Sequence, residues 1–289
     1  MVVGRAIRER PAVVVVLWGV LLLGLSSCTP IPVKDEVQPG GDGMVKANIR
    51  SVVLVGGLNQ DVRSMGEIAA LANRSARSVV AVNLEFPEAS YKAGNLVRHW
   101  RSQVDAALGA GCASSGSEMV AIGWSTGGLL LLDALQRGVL CSGTRVMVVN
   151  PPLHLRWYAS LIRLLTPLAR TQLSLPSLAP RNRRLRSWTP VTMYRAMLMV
   201  RDVVRQQSIG AISMGEGVFV LSQRDELVDV VSSAKEVAAL FPGWPVKWIE
   251  VGGSGSSHAP TTEAGLGEQL WATLQEWFVS SVQSQVSQE

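Results

Sequence analysis

Met119-Val120-Ala121-Ile122-Gly123-Trp124-Ser125-Thr126-Gly127-Gly128 leads directly into Leu129-Leu130-Leu131-Leu132-Asp133-Ala134-Leu135. An apolar run, a glycine-flanked serine and a leucine-rich helical pattern read as a buried strand, a sharp turn and a helix. The steric logic is specific. A serine thrust out of so tight a turn sits at strained backbone angles, and only neighbours without side chains let helix and strand pass closely enough. Its hydroxyl then projects above the sheet, beside the positive end of a helix.

The same kind of run recurs along the chain, at about 51 to 55, 78 to 84, 118 to 122, 145 to 149, 217 to 222 and 246 to 251. These runs are short, continuous and rich in valine, as strands buried on both faces are, so they predict a parallel sheet. Helical patterns separate most of them: Met65 to Asn73, Leu96 to Leu108, Leu129 to Gln136, Ser232 to Leu240 and Glu268 to Val282. Right-handed crossovers between parallel strands then give an α/β, doubly wound sheet with Ser125 at a strand's C-terminal end.

A serine hydroxyl barely ionises near neutral pH. It needs an imidazole base, and the base needs a carboxylate to hold its tautomer. The chain has three histidines. His258 follows a strand-like run and the stretch Gly252-Gly253-Ser254-Gly255-Ser256-Ser257, so it sits on a loop at a strand end, where such a base belongs. His99 reads as the exposed part of a helix, and His154, just after Asn150-Pro151-Pro152, ends another strand. The acid should also end a strand. Asp225, after Val218-Phe219-Val220-Leu221-Ser222, is the candidate, with Glu226 and Asp229 as neighbouring loop or helix-start charges.

Ser125, Asp225 and His258 occur in the chain order of α/β-hydrolases. The sequence resembles that fold's serine hydrolases, and in pattern it is most similar to small capped carboxylesterases and monoacylglycerol lipases. The residues that carry the likeness are Gly123-Trp124-Ser125-Thr126-Gly127-Gly128, Arg224-Asp225-Glu226-Leu227-Val228 and Gly255-Ser256-Ser257-His258. The likeness spans most of Ser51 to Phe278. Val52-Val53-Leu54-Val55-Gly56-Gly57-Leu58 resembles the family's strand ending in His-Gly, with Gly56 where the histidine usually stands. The resemblance implies an oxyanion hole made by the backbone N–H groups of Leu58 and Thr126, no metal and no cofactor. It also implies hydrolysis of carboxylic esters. Thioesters, amides or peptides and lysophospholipids are substrates the same residues would serve, and a non-catalytic envelope-binding protein on the same fold is the alternative outside enzymology.

Residues 1 to 27 read as an export signal, with Arg5, Arg8 and Arg10 ahead of the apolar stretch Ala12 to Leu25. Leu25-Ser26-Ser27-Cys28 resembles the bacterial lipobox, which would make Cys28 the lipidated first residue of the mature protein. Residues 28 to 48 then form a proline- and glycine-bearing tether. This implies a membrane partner through the anchor and a place in the cell envelope, on the periplasmic side of the outer membrane in a Gram-negative cell. Cys112 and Cys141 remain. In an exported protein such a pair invites a disulfide, and the strands that follow them bring it together if they are adjacent and parallel.

From residue 151 to 212 the chain departs from the rest, so the α/β core is expected over 49 to 150 and 213 to 289, with a helical cap between. Asn150 to Ile212 carries ten arginines and one acid, Asp202, a charge of +9 in a chain whose total is +5. The basicity is therefore local, which argues against nucleic acid as a partner. Arg156, Arg163 and Arg170 recur at seven-residue spacing, roughly one face of a helix. Met193, Met197, Val200 and Val204 form a second stripe at helical spacing. Two readings stay open for these stripes: packing against the main sheet, or a roof over Ser125 that supplies the acyl pocket and offers arginines to anionic lipid.

Overall fold

The valine-rich runs form one parallel sheet. The computed structural model describes residues 51–62, 65–87, 92–115, 119–170, 173–179, 184–206, 216–249 and 266–279. Within them, strands β1 (Ser51–Val55), β2 (Ser78–Val82), β3 (Met119–Trp124), β4 (Arg145–Val149), β7 (Gly217–Ser222) and β8 (Val246–Ile249) are ordered β2-β1-β3-β4-β7-β8, all parallel. A short antiparallel hairpin, β5 (Ser174–Pro176) and β6 (Trp188–Pro190), belongs to the insertion. The helices are α1 (Gly66–Ser75), α2 (Ala93–Ser115), α3 (Thr126–Gln136), α4 (Trp157–Ser160), α5 (Ile162–Leu165), α6 (Val191–Gln206), α7 (Val230–Leu240) and α8 (Glu268–Val279).

Alternate residues of each strand feed opposite cores, as the period of two requires. Val53, Val55, Ala121, Val146 and Val148 pack with Trp100, Leu129 and Val237 on the face covered by α2, α3, α6 and α7. Val52, Leu54, Val120, Ile122 and Met147 pack with Ile68, Leu71, Leu270 and Leu274 on the face covered by α1 and α8. Helix α3 is buried from Thr126 to Leu135, which explains its leucines on every side. It is also clamped electrostatically. The buried Asp133 carboxylate accepts from Arg101 (2.6 and 3.0 Å) and Arg137 (2.9 Å). Hydrogen bonding to Asp105, reinforced by the charge of Asp133, holds the Arg137 guanidinium protonated well above its ordinary range.

Cys112 and Cys141 form the expected disulfide, closing a loop of 29 residues. In the chain-entropy picture this stabilises the fold by about 3.5 kcal/mol. β3 and β4 are adjacent and parallel, as that pairing needed. Cys112 itself lies inside α2, which starts earlier and ends later than Leu96 to Leu108. The extension runs through Gly109 and Gly111, and Gly111 is there for close packing: a Cβ on it would stand 2.5 Å from the Met119 sulfur.

The insertion differs from the single helix that the arginine spacing suggests. α4 and α5 are one turn each, Leu161 separates them, and a 3-10 turn over Thr166–Arg170 follows. Neither short helix has a side-chain cap, and Pro167 has no amide to continue an α-helical ladder, so the arginines share no helical face. The methionine stripe is real and buried. Met193, Met197, Val200 and Val204 of α6 join the principal core, where α6 packs on helices α2 and α3.

Candidate functional site

Ser125 occupies the tight turn between β3 and α3 at φ 49° and ψ −118°, a conformation that L-residues other than glycine rarely adopt. Its amide donates to the Val149 carbonyl (2.8 Å), which ties the turn to β4, and only 6 % of the residue is exposed. The flanking glycines are required sterically. A Cβ on Gly123 would stand 2.8 Å from backbone atoms of Gly127 and Gly128; one on Gly127 would stand 2.3 Å from the Val55 carbonyl oxygen. Holding a serine in such a conformation costs about 1–3 kcal/mol, which the surrounding packing must offset.

The sheet changes direction between β1 and β3: from β1 the chain moves outward to β2, then returns to the other side of β1 as β3. Loops leaving the two strands diverge there, and open α/β sheets bind ligands at that point. In register, Val55 lies beside Gly123, so the loop after β1 runs alongside the Ser125 turn. A Cβ on Gly57 would meet the Ser125 Cβ at 3.2 Å. The Gln60 amide donates to the Gly57 carbonyl (3.2 Å), and the Gln60 side-chain oxygen accepts from the Gly57 amide (3.0 Å). Asn59, at φ 57°, completes a turn of the kind that demands a left-handed third residue. Leu58 is the second residue of that turn and Thr126 the first of α3. Among the described residues neither amide has an acceptor, and the buried Thr126 hydroxyl oxygen lacks a partner. The loop after β1 and the first turn of α3 thus both border the Ser125 turn.

Asp225 is fully buried just beyond β7, at the same edge of the sheet. Its amide donates to the Ser222 carbonyl (3.0 Å), and Oδ1 accepts from the amides of Leu227 (2.7 Å) and Val228 (2.8 Å), which fixes the carboxylate plane. Asn150 stitches the intervening strand ends together: its Oδ1 accepts from the Ser222 amide (2.8 Å) and its amide donates to Val220 (2.9 Å).

The neighbouring acids have other tasks. Glu226 is exposed, and its carbonyl accepts from the Tyr158 hydroxyl. Asp229 caps α7 by accepting from the Ser232 hydroxyl (2.8 Å) and amide (3.1 Å), and those bonds, the hydroxyl's first, hold its carboxyl below the usual range.

Of the histidines, His154 is committed to Glu236, which also binds Arg205 (2.5 Å). His99 is half-buried on α2 rather than exposed, with its Nε2 shielded from solvent. His258 lies outside the described residues, as do the export signal, Cys28 and the tether. β8, nine residues before His258 in sequence, ends at the same edge as β3 and β7.

Three residues of this site carry little sequence signal: Asn59, Gln60 and Asn150. Asparagine just past an apolar strand is the one clue, because Asn tolerates positive φ better than other L-residues. Among the described residues no group of three or more His, Cys, Asp or Glu side chains is arranged to hold a metal ion, and no helix is long and apolar enough to cross a membrane. A pocket of about 520 Å³ lined by Pro242, Trp244, Lys247 and Trp277 lies at the opposite, N-terminal edge of β7 and β8, away from the Ser125 turn.

Comparison with solved structures identifies the architecture as the α/β-hydrolase fold. A soluble variant of the Saccharomyces cerevisiae monoglyceride lipase is similar at TM-score 0.60 and 11% identity, over 88% of this chain and 96% of that one. The Paleococcus ferrophilus monoacylglycerol lipase gives 0.60 and 15%, over 81% and 96%. A structure from the metagenome-derived lipolytic enzymes LipS and LipT gives 0.59 and 16%, over 83% and 97%. No protein-family model matches the sequence, and no curated protein matches it significantly.

Proposed function

We propose that the protein is a serine hydrolase that cleaves carboxylic esters through an acyl-enzyme. The observation that carries the reading is Ser125 itself: a buried serine at φ 49° on a glycine-packed elbow, at the sheet's switch point, with the loop after β1 packed against it.

In this reading the Ser125 Oγ attacks the ester carbonyl carbon while His258 takes its proton. The Leu58 and Thr126 amides hold the oxyanion. Collapse breaks the carbon–oxygen bond to the alcohol, which leaves with the proton from His258. Water, deprotonated by the same imidazole, then releases the acid and restores Ser125. Asp225 keeps the imidazole in register and stabilises it when charged. Two inter-strand steps of about 4.8 Å separate the ends of β3 and β7, room for a ring between serine and carboxylate.

A fluorophosphonate probe tests this. The wild type should be labelled stoichiometrically and Ser125→Ala not at all; an unlabelled wild type would favour a binding protein on the same fold.

The proposed setting is the envelope, with the chain anchored through Cys28. The disulfide supports an oxidising compartment. Of the ten large apolar side chains exposed among the described residues, seven fall between Trp157 and Trp188, within the arginine-rich insertion. Trp157 is 77 % and Leu164 73 % exposed, each directly after an arginine in sequence. Exposed Trp and Leu interleaved with Arg suit the interface of an anionic bilayer, and such a surface would deliver a lipid ester to the site. The protein without residues 1 to 28 should therefore float with phosphatidylglycerol vesicles and far less with phosphatidylcholine. Combining Trp157→Ser, Leu164→Ser and Arg163→Glu should cut that binding about tenfold. Equal flotation of this variant and the parent would dismiss the membrane role of the insertion.

A further inference from the structure

Asn59 is 2 % exposed, and its polar atoms bind across to the insertion. Nδ2 donates to the Arg186 carbonyl (2.7 Å), the Ser177 hydroxyl (2.8 Å) and the Thr189 hydroxyl (3.1 Å), two hydrogens shared among three oxygens. Oδ1 accepts from the Arg186 amide (3.0 Å), and the Asn59 carbonyl accepts from the Leu185 amide (3.0 Å). The carboxamide thus pairs with Arg186 as a neighbouring strand would, and an isolated antiparallel bridge between Gln60 and Arg184 extends the pairing. Tyr194 of α6 joins the same buried network through Thr189 and the Leu178 backbone, and burial pushes its phenol above the ordinary range. The loop after β1 is therefore fastened less by its own strand than by residues more than a hundred positions later.

Asn59 is also the residue at positive φ that lets the Gly57-to-Gln60 turn close, with Leu58 one position before it. One residue sets both the direction of the Leu58 amide and the attachment of the β5–β6 hairpin. We propose that Asn59 is a positioning residue for the Leu58 amide and makes the placement of that amide conditional on the hairpin being seated. The proposal rests on the esterase reading for its chemical consequence: the insertion is part of the catalytic frame as well as a cover.

Asn59→Gly separates the two tasks, because glycine keeps the turn's positive φ and removes the carboxamide. Asn59→Asp keeps the shape but sets an acceptor against the Arg186 carbonyl. With p-nitrophenyl butyrate, a small soluble ester, both variants should lose about 10- to 100-fold in kcat with KM within about threefold, since loss of one oxyanion donor costs about 10²–10³. Binding of a trifluoromethyl ketone, whose adduct needs the oxyanion donors, should weaken by the same factor as kcat/KM. In hydrogen exchange of the full chain, peptides covering 56–62 and 173–190 should speed up together in Asn59→Gly while 119–136 is unchanged.

A hairpin that exchanges faster while the loop and kcat stay as in the wild type would overturn the proposal, as would a variant that loses only unfolding temperature. If the wild type neither hydrolyses esters nor reacts with the fluorophosphonate, the esterase reading falls by itself. The exchange experiment then still decides the coupling: joint acceleration supports it and independent acceleration overturns it.

Discussion

Ser125→Ala should lower kcat/KM on a p-nitrophenyl ester by about 10⁴-fold or more, roughly 5.5 kcal/mol of transition-state stabilisation, while unfolding temperature stays within a few degrees. The thermal expectation follows from geometry. The serine's strained backbone is held by the Val149 carbonyl, the glycine contacts and α3, none of which involves the hydroxyl. His258→Ala should match that loss, because nucleophile and base act as one unit and their effects are not additive. The double variant should be little worse than either single one.

The other two histidines supply the contrast. His154→Ala breaks a contact with Glu236 and leaves that carboxylate to Arg205, so it should cost stability and under threefold in kcat. His99→Ala, half-buried on α2, should behave alike. Equal losses at all three histidines would remove the basis for naming His258, and full activity in Ser125→Ala would end the esterase reading.

The parts of the fold that were legible are those where burial on both faces leaves no polar position to blur the pattern. The bounds of β1, β4 and β7 are the ones the apolar runs suggest, and each of these strands is wholly buried apart from Arg145. Edge strand β8 is half-exposed, and continuous hydrophobicity is a weaker guide there. α2 continues past Leu108 through Gly109 and Gly111, poor helix formers, because Gly111 is needed for contact with β3. In the insertion, arginine spacing suggested a helix that capping and Pro167 do not sustain.

The site divides along the same line. Ser125 and Asp225 are marked by short-range chemistry, glycine packing and a strand-end turn, which a linear pattern records. Asn59 depends on partners 118 to 130 residues away, and nothing near it in sequence announces them. Gly56 and Gly57 mark this loop as a turn without showing what holds it; in the structure Gln60 braces the turn from within and Asn59 from the insertion.

The largest structural effect should come from a single methyl group, in Gly127→Ala. The added carbon would lie 2.3 Å from the Val55 oxygen and 2.5 Å from the Gly56 oxygen, both backbone atoms of β1 and its continuation. No rotamer change relieves such a contact. α3 must instead move away from β1 by most of an ångström, yet its N-terminus is tethered through the Ser125–Val149 bond and its middle through Asp133 to Arg101. Overpacking in well-filled interiors typically costs about 1–3 kcal/mol and more where backbone must shift, so this substitution belongs at or above the upper end. For a domain of this size that is a fall of about 6–12 °C in unfolding temperature, or failure to accumulate folded protein. Any folded fraction should have lost most of its activity, since the same displacement moves the Thr126 amide. Gly138→Ala, just past the C-terminus of the same helix, is the control. It sits at φ 70° with nothing within 4 Å of the added carbon, so it should lose only the cost of a left-handed alanine, about 1 kcal/mol. Thermal melts of the two variants beside the wild type decide the matter: a Gly127→Ala protein that melts with Gly138→Ala would mean that the close approach of α3 to β1 is not what the elbow is built on.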